Sequence, residues 1–140
     1  MSELLHRIKV FVFRHGTSEP DYLLLKTAGF EGFWGPLHGA VGFGEKLETA
    51  LRREIFDDVG IVRPVDLIDL KMPGRWLVGD EEVIEWTYGC RILPAEEPAH
   101  VSGRWSEFRW ADFGKAYPSL ELEPDRAAIM RLHALLFDAA

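Results

Sequence analysis

The segment Leu47 to Val59 constrains this chain more than any other. Wound as a helix at about 100° per residue, it places Leu47, Leu51, Ile55 and Val59 in one apolar stripe, with Gly60 and then Pro64 to stop it. That stripe has to lie against a core. Yet Glu54 and Asp58, four apart, fall at almost the azimuth of Leu47 and Leu51, and Asp57 sits at the near edge. Three carboxylates therefore crowd the border of the face that wants to be buried, close enough to repel one another. An unpaired buried carboxylate is costly and a cluster is worse. Either cations neutralise them or the helix end is solvated. A plain acidic helix end is itself disfavoured, because the C-terminal end of the helix dipole prefers positive charge. Oxygen ligands suit hard divalent ions such as Mg²⁺ or Mn²⁺, so the sharper reading is a metal site.

The rest of the chain supplies the sheet such a helix needs. Ile8 to Arg14 is a β-rich run ended by the turn composition His15-Gly16-Thr17-Ser18, and Tyr22 to Lys26 is a second run expected to pair with it. Phe30 to Gly44 is rich in glycine and aromatics without helical period, so it reads as loop and short strand. Val65 to Leu70 and Val83 to Leu93 read as strands, with turns at Pro73-Gly74 and Gly79-Asp80 between them. Phe108 to Trp110 reads as a further short strand. From Pro124 the pattern turns helical, with Ile129, Leu132, Leu135 and Leu136 on one side. Strands on both sides of an internal helix, and a helix at the end, indicate a mixed sheet covered by helices. No repeat or linker interrupts the 140 residues, so one domain over 1–140 is expected.

Gly39, Glu45, Arg53, Glu54, Ile55, Asp57, Asp58, Gly60 and Ile61 follow the frame Gly-x5-Glu-x7-Arg-Glu-U-x-Glu-Glu-x-Gly-U, where U is aliphatic. Seven of the nine positions match outright and two carry Asp for Glu. Average residue usage gives such a match by chance on the order of 1 in 100,000. This spacing resembles the Nudix box, a loop-helix-loop site for metal and pyrophosphate. Phe33-Trp34 before it and Phe108-Arg109-Trp110 late in the chain are similar to accompanying family elements. The resemblance implies an α/β fold of the α+β kind, a Nudix-like α/β/α sandwich around a mixed β-sheet.

The same resemblance implies roles. Glu54 and Asp58 would hold the metal, with Asp57 a further ligand directly or through water. Arg53 would fix the Glu54 rotamer by a charge-assisted hydrogen bond. Glu45 would contact the metal or its water, and the backbone carbonyl at His38 would be another ligand. Gly39 would let the loop approach closely. Lys26, at a strand end, and Arg14 are candidates to pair with substrate phosphates, exposed strand-end cations being the plainer reading. Two departures stand out. Asp57-Asp58 shortens each reach by one methylene, on the order of 1 to 1.5 Å, where metal distances hold to about 0.2 Å. The loop also reads Pro36-Leu37-His38-Gly39 where the family commonly has Leu-Pro-Gly-Gly.

Hydrolases of dihydroneopterin triphosphate and of diadenosine polyphosphates, which this chain resembles near Phe108-Arg109-Trp110, often carry Glu-His a few residues upstream. Arg104 and Trp105 stand there instead, so that carboxylate is missing in register. Glu107 is the nearest substitute, with Glu82 and Glu85 on the preceding strand; for each a solvated acid is the commoner state. The five tryptophans could stack on a base but more often pack in a core or at its rim. Cys90 is the lone cysteine, so paired-thiolate zinc sites and internal disulfides are excluded, which favours a cytoplasmic protein.

The expected function is therefore metal-dependent hydrolysis of a phosphoanhydride bond in a nucleoside diphosphate linked to another group, with Mg²⁺ or Mn²⁺ as cofactor. The alternative is a Nudix-like module that binds a nucleotide without cutting it. The partner is a small nucleotide or pterin polyphosphate. A net charge of −7 argues against a large nucleic acid, and no apolar run approaches the roughly 20 residues of a membrane span. Dimers are common among relatives, so a homodimer is a further expectation.

Overall fold

Side-chain alternation along the longest strand sorts the molecule into layers. The computed structural model describes residues 4–29 and 31–138, and its first strand, β1 (Leu4–His15), is buried on both faces. Ile8, Val10 and Val12 point to one side and Phe11 and Phe13 to the other. Its neighbour β2 (Pro20–Thr27) repeats the division, with Leu23 and Leu25 on the first side and Tyr22 and Leu24 on the second. A period of two with both faces apolar is what a strand between two helical layers requires.

Short strands β3 (Trp34–Gly35) and β4 (Leu37–Ala40) are what the glycine-rich segment forms. β4 pairs antiparallel with the first half of β1, setting Gly39 opposite Ile8 and His38 opposite Lys9. On the other edge of β1 lies β7 (Glu81–Arg91), parallel to it from Leu4↔Glu82 to Phe13↔Arg91. The outer edge of β7 carries β5 (Asp66–Asp69) and β6 (Gly74–Val78), both antiparallel. β8 (Trp105–Asp112) pairs with β2, which also holds β3, so the sheet is mixed.

Helix α1 (Leu47–Val59) lies on the first side, its Ala50, Leu51, Ile55 and Val59 fully buried against Ile8, Val10, Leu23 and Leu25. Leu51, Ile55 and Val59 each contribute about 1.5–3 kcal/mol, which anchors a helix that also has to bury acids. Gly60 ends α1 at φ 71°, a left-handed conformation that a side chain would disfavour, and its N–H closes on the Phe56 carbonyl. The second side is covered by α2 (Phe113–Ser119) and α3 (Glu123–Asp138), through Ala116, Ala128, Ile129 and Leu132, with Leu120 between the two helices. The architecture is an α/β/α sandwich of the α+β kind.

Two elements depart from the expected outline. Between the turns at Pro73-Gly74 and Gly79-Asp80 the chain forms β6, an edge strand whose Trp76, Leu77 and Val78 are exposed, so no inside-outside alternation marks it. α2 is a single short helix containing Pro118, started by Asp112, whose side chain accepts from the Lys115 N–H. Among the described residues no helix is long and apolar enough to cross a membrane.

Candidate active site

Glu54 and Asp58 are both buried by α1, at 8% and 6% exposure, one turn apart. Arg53 braces the first of them. Its Nη1 donates to Glu54 Oε1 at 2.9 Å, while Nε and Nη2 grip the two oxygens of Glu45, each at 2.9 Å, and Nη2 also donates to the Ala40 carbonyl. Glu45 additionally accepts the Gly42 N–H at 2.8 Å. The bonds from Arg53 and Gly42 hold the Glu45 carboxyl down at about 2, and Arg53 is in turn raised by Glu45. Both Glu45 oxygens thus serve to lock Arg53, which locks Glu54. Burial raises Glu54 above the usual carboxylate range, against the Arg53 bond, and the neighbouring Asp58 charge adds to the rise.

Gly39 is why the strand and the helix approach so closely. A Cβ there would lie 2.3 Å from both Cδ and Oε1 of Glu54. Gly39→Ala is therefore expected to push the carboxylate from its seat and to cost about 1–3 kcal/mol, measurable by urea unfolding. Unchanged stability would show that Glu54 has another place to go.

The carboxylates face a cation supplied by the chain. The C-terminal carbonyls of α1 receive the Ala99 N–H at Val59, the Ser102 N–H at Asp58 and the His100 ring at Asp57. That docked loop leads directly into Arg104. The Arg104 Nη2 donates to Asp58 Oδ2 at 2.5 Å, lies 3.8 Å from Glu54 Oε2, and donates to the His38 carbonyl. Ser102 Oγ donates to Asp58 Oδ1 at 2.9 Å. Two carboxylates and a backbone carbonyl are hard oxygen donors of the kind Mg²⁺ or Mn²⁺ takes, so the donor set fits such an ion. No three His, Cys, Asp or Glu side chains converge on one point among the described residues, and the guanidinium stands where the three oxygens meet.

Next to this group opens a pocket of about 880 Å³. Phe33, Trp76 and Trp105 line it, with Arg7, Lys9, Glu85, Thr87 and Asp125 among its polar groups. His38 joins pocket to carboxylates: its carbonyl takes Arg104, and its Nδ1 accepts from Arg7 at 3.1 Å. Burial, then the charges of Arg104 and Arg7, lower the His38 imidazole to about 4, so at neutral pH it is the uncharged acceptor that Arg7 requires. Lys9 Nζ is buried between Asp125 Oδ1 at 3.0 Å and Glu85 Oε1 at 3.5 Å. Burial raises Glu85 in spite of Lys9. Trp105, at 5% exposure, leaves its indole N–H without a partner among the described residues.

Other expected site residues lie elsewhere. Asp57 is exposed on α1. Arg14 donates to Glu97 and stacks over Trp110, and Glu82 meets Arg75. Lys26 and the exposed Glu107 are register partners across β2 and β8. None of these five lines the pocket. Arg7, Lys9 and Asp125 were not singled out by sequence reasoning. A lysine inside the apolar run Ile8 to Phe13 was the one available signal for Lys9.

A family model described as NUDIX domain matches residues 5–133. No curated protein matches the chain. Among solved structures, a Caenorhabditis elegans Ap4A hydrolase binary complex superposes with a TM-score of 0.80 at 14% identity, covering 96% of this chain and 98% of that one. The Escherichia coli dihydroneopterin triphosphate pyrophosphohydrolase gives 0.76 at 21% identity over 93% and 95%. The NUDIX domain of Shewanella oneidensis NrtR, complexed with ADP ribose, gives 0.79 at 14% identity over 97% and 90%. At these identities the likeness is one of fold.

Proposed function

The chain belongs to the Nudix family, a family of hydrolases acting on acid anhydrides, and on that premise we propose that it hydrolyses a phosphoanhydride bond in a small nucleotide or pterin polyphosphate. The observation that carries this reading is the convergence of Glu54, Asp58 and the His38 carbonyl beside a pocket with aromatic walls. Glu54, Asp58 and the His38 carbonyl would hold a divalent cation. Bound there, Mg²⁺ or Mn²⁺ would supply Lewis-acid charge at the phosphate and a stronger nucleophile from water.

The chain's own residues do the positioning. Arg53, fixed by Glu45, keeps Glu54 in one rotamer, and Ser102 does the same for Asp58. The uncharged His38 imidazole accepts from Arg7 without cancelling its charge, which leaves the guanidinium available to a phosphate in the pocket. Lys71 and Arg75 add positive charge along the lining. Within the pocket, Phe33, Trp76 and Trp105 offer apolar aromatic lining to a planar ring. Glu85 and Asp125 supply acceptors on the same floor.

One specific observation favours a second reading, a module that binds such a ligand without cutting it: Arg104 already pairs with Asp58 and lies 3.8 Å from Glu54. Turnover separates the two. A panel of nucleoside di- and triphosphates, dinucleoside polyphosphates, nucleotide sugars and pterin triphosphate is assayed by chromatography for loss of substrate and appearance of the shorter phosphates, with Mg²⁺ or Mn²⁺ and with chelator. Cleavage of at least one compound, stopped by chelator, is expected. Silence with a ligand-dependent rise in melting temperature would select the binding module. Silence without any such rise would overturn both.

A further inference from the structure

Arg104 occupies the position from which a cation would touch all three oxygens. Its guanidinium meets Asp58 Oδ2, the His38 carbonyl and, at 3.8 Å, Glu54 Oε2. A divalent ion held by Glu54, Asp58 and that carbonyl would need the same oxygens, and two positive charges cannot share them at contact distance. We propose that Arg104 is a built-in counter-ion that competes with the divalent metal, so that metal enters as the arginine swings out. This rests on the metal-site reading above and concerns its regulation.

The local structure supports both positions of the side chain. Backbone bonds from Ala99 and Ser102 to the end of α1 fix where the arginine starts. Its side chain is 43% exposed, so the guanidinium can leave toward solvent without opening the core. The face of Trp105, whose ring centroid lies 5.1 Å from the guanidinium carbon, gives it a surface to slide along. The pair left behind explains the arrangement: without metal or arginine, Glu54 and Asp58 would face each other one turn apart, both buried and of like charge. The arginine keeps the metal-free site folded. Metal binding is then weakened by the fraction of molecules in which the guanidinium is already out.

Mn²⁺ binding to the whole chain, followed by the electron paramagnetic resonance of the free ion without substrate, tests this. Arg104→Ala is expected to bind Mn²⁺ about tenfold more tightly than wild type, the scale of a charge-assisted hydrogen bond at a partly exposed site. Its melting temperature should fall in chelator and recover with Mn²⁺ by more than the wild type gains. A residue that merely supports the fold would give the fall without the larger recovery. Adding Glu54→Gln should cancel the tightening. If Arg104→Ala binds Mn²⁺ no more tightly than wild type while Glu54→Gln still weakens it, the competition is wrong and the metal site stands. If wild type and Glu54→Gln bind alike, the metal-site reading itself fails. Should Arg104→Ala not fold, the wild-type protein carries the test. The Arg104 Nη–H resonance, whose donors meet Asp58 and the His38 carbonyl, should lose its protection from solvent exchange at saturating Mg²⁺; an unchanged signal overturns the proposal.

Discussion

Glu54→Gln is expected to lower turnover about 1,000-fold, with the melting temperature within a few degrees of wild type. The amide keeps the size of the acid and can still accept from Arg53, which now donates to Glu54 Oε1 at 2.9 Å. What it loses is the negative charge, one of two at the place where the cation would bind. Stability is spared because burial already works against that charge and raises the Glu54 carboxyl. The measurement is kcat and KM on whichever compound of the panel is cut, across Mg²⁺ concentrations, beside a thermal melt. A wild-type rate at saturating Mg²⁺ would sink the assignment of the site.

Lys9→Met should have the largest effect on stability. Lys9 is the buried cation between Asp125 and Glu85, with side-chain exposures of 8%, 6% and 16%. Methionine fills the same space but leaves two acids facing each other in the pocket floor. Breaking a buried pair by removing one partner costs about 3–5 kcal/mol, or a drop on the order of 10 °C in melting temperature for a chain of this size. The cost should depend on pH. In the native protein burial already raises Glu85 above its ordinary 4.5, so the folded state binds more protons than the unfolded chain in the window above 4.5. Stability from this group therefore falls as pH rises through that window. Without Lys9 the rise is greater, so the deficit should be smaller at pH 5 than at pH 8. Urea unfolding of wild type and variant at both values checks it; an equal deficit at the two would mean that Glu85 stays ionised without Lys9.

Helix α1 shows how far local pattern reaches. Its ends at Leu47 and Val59 follow from an apolar stripe and from Gly60, which are properties of adjacent residues. The frame of Gly39, Glu45, Arg53 and Glu54 is equally legible, because the strand-loop-helix turn that joins them is short and its spacing is set along the chain. Arg53 gripping Glu45 across the turn is a consequence of that spacing. The long strands and α3 were visible for the same reason: burial on one or both faces writes a period into the sequence. β6 wrote none, since its side chains face water.

Arg104 is the opposite case. Read in line, it was a missing carboxylate. Only the folded chain turns it into a cation on Asp58, forty-six residues earlier, because the loop before β8 docks on the carbonyls at the end of α1. Lys9 and Asp125 are farther apart still, brought together because the inside-outside alternation of β1 aims Lys9 at α3 rather than α1. The sequence by itself determined the sandwich, the acidic helix and the family to which the chain belongs, since each is encoded by neighbours and repeats within a few turns or one strand. The tertiary structure alone decided which charges meet. Charge pairing between distant segments carries no period, and a lone arginine or lysine looks the same in sequence whether it faces water, a phosphate or a buried acid.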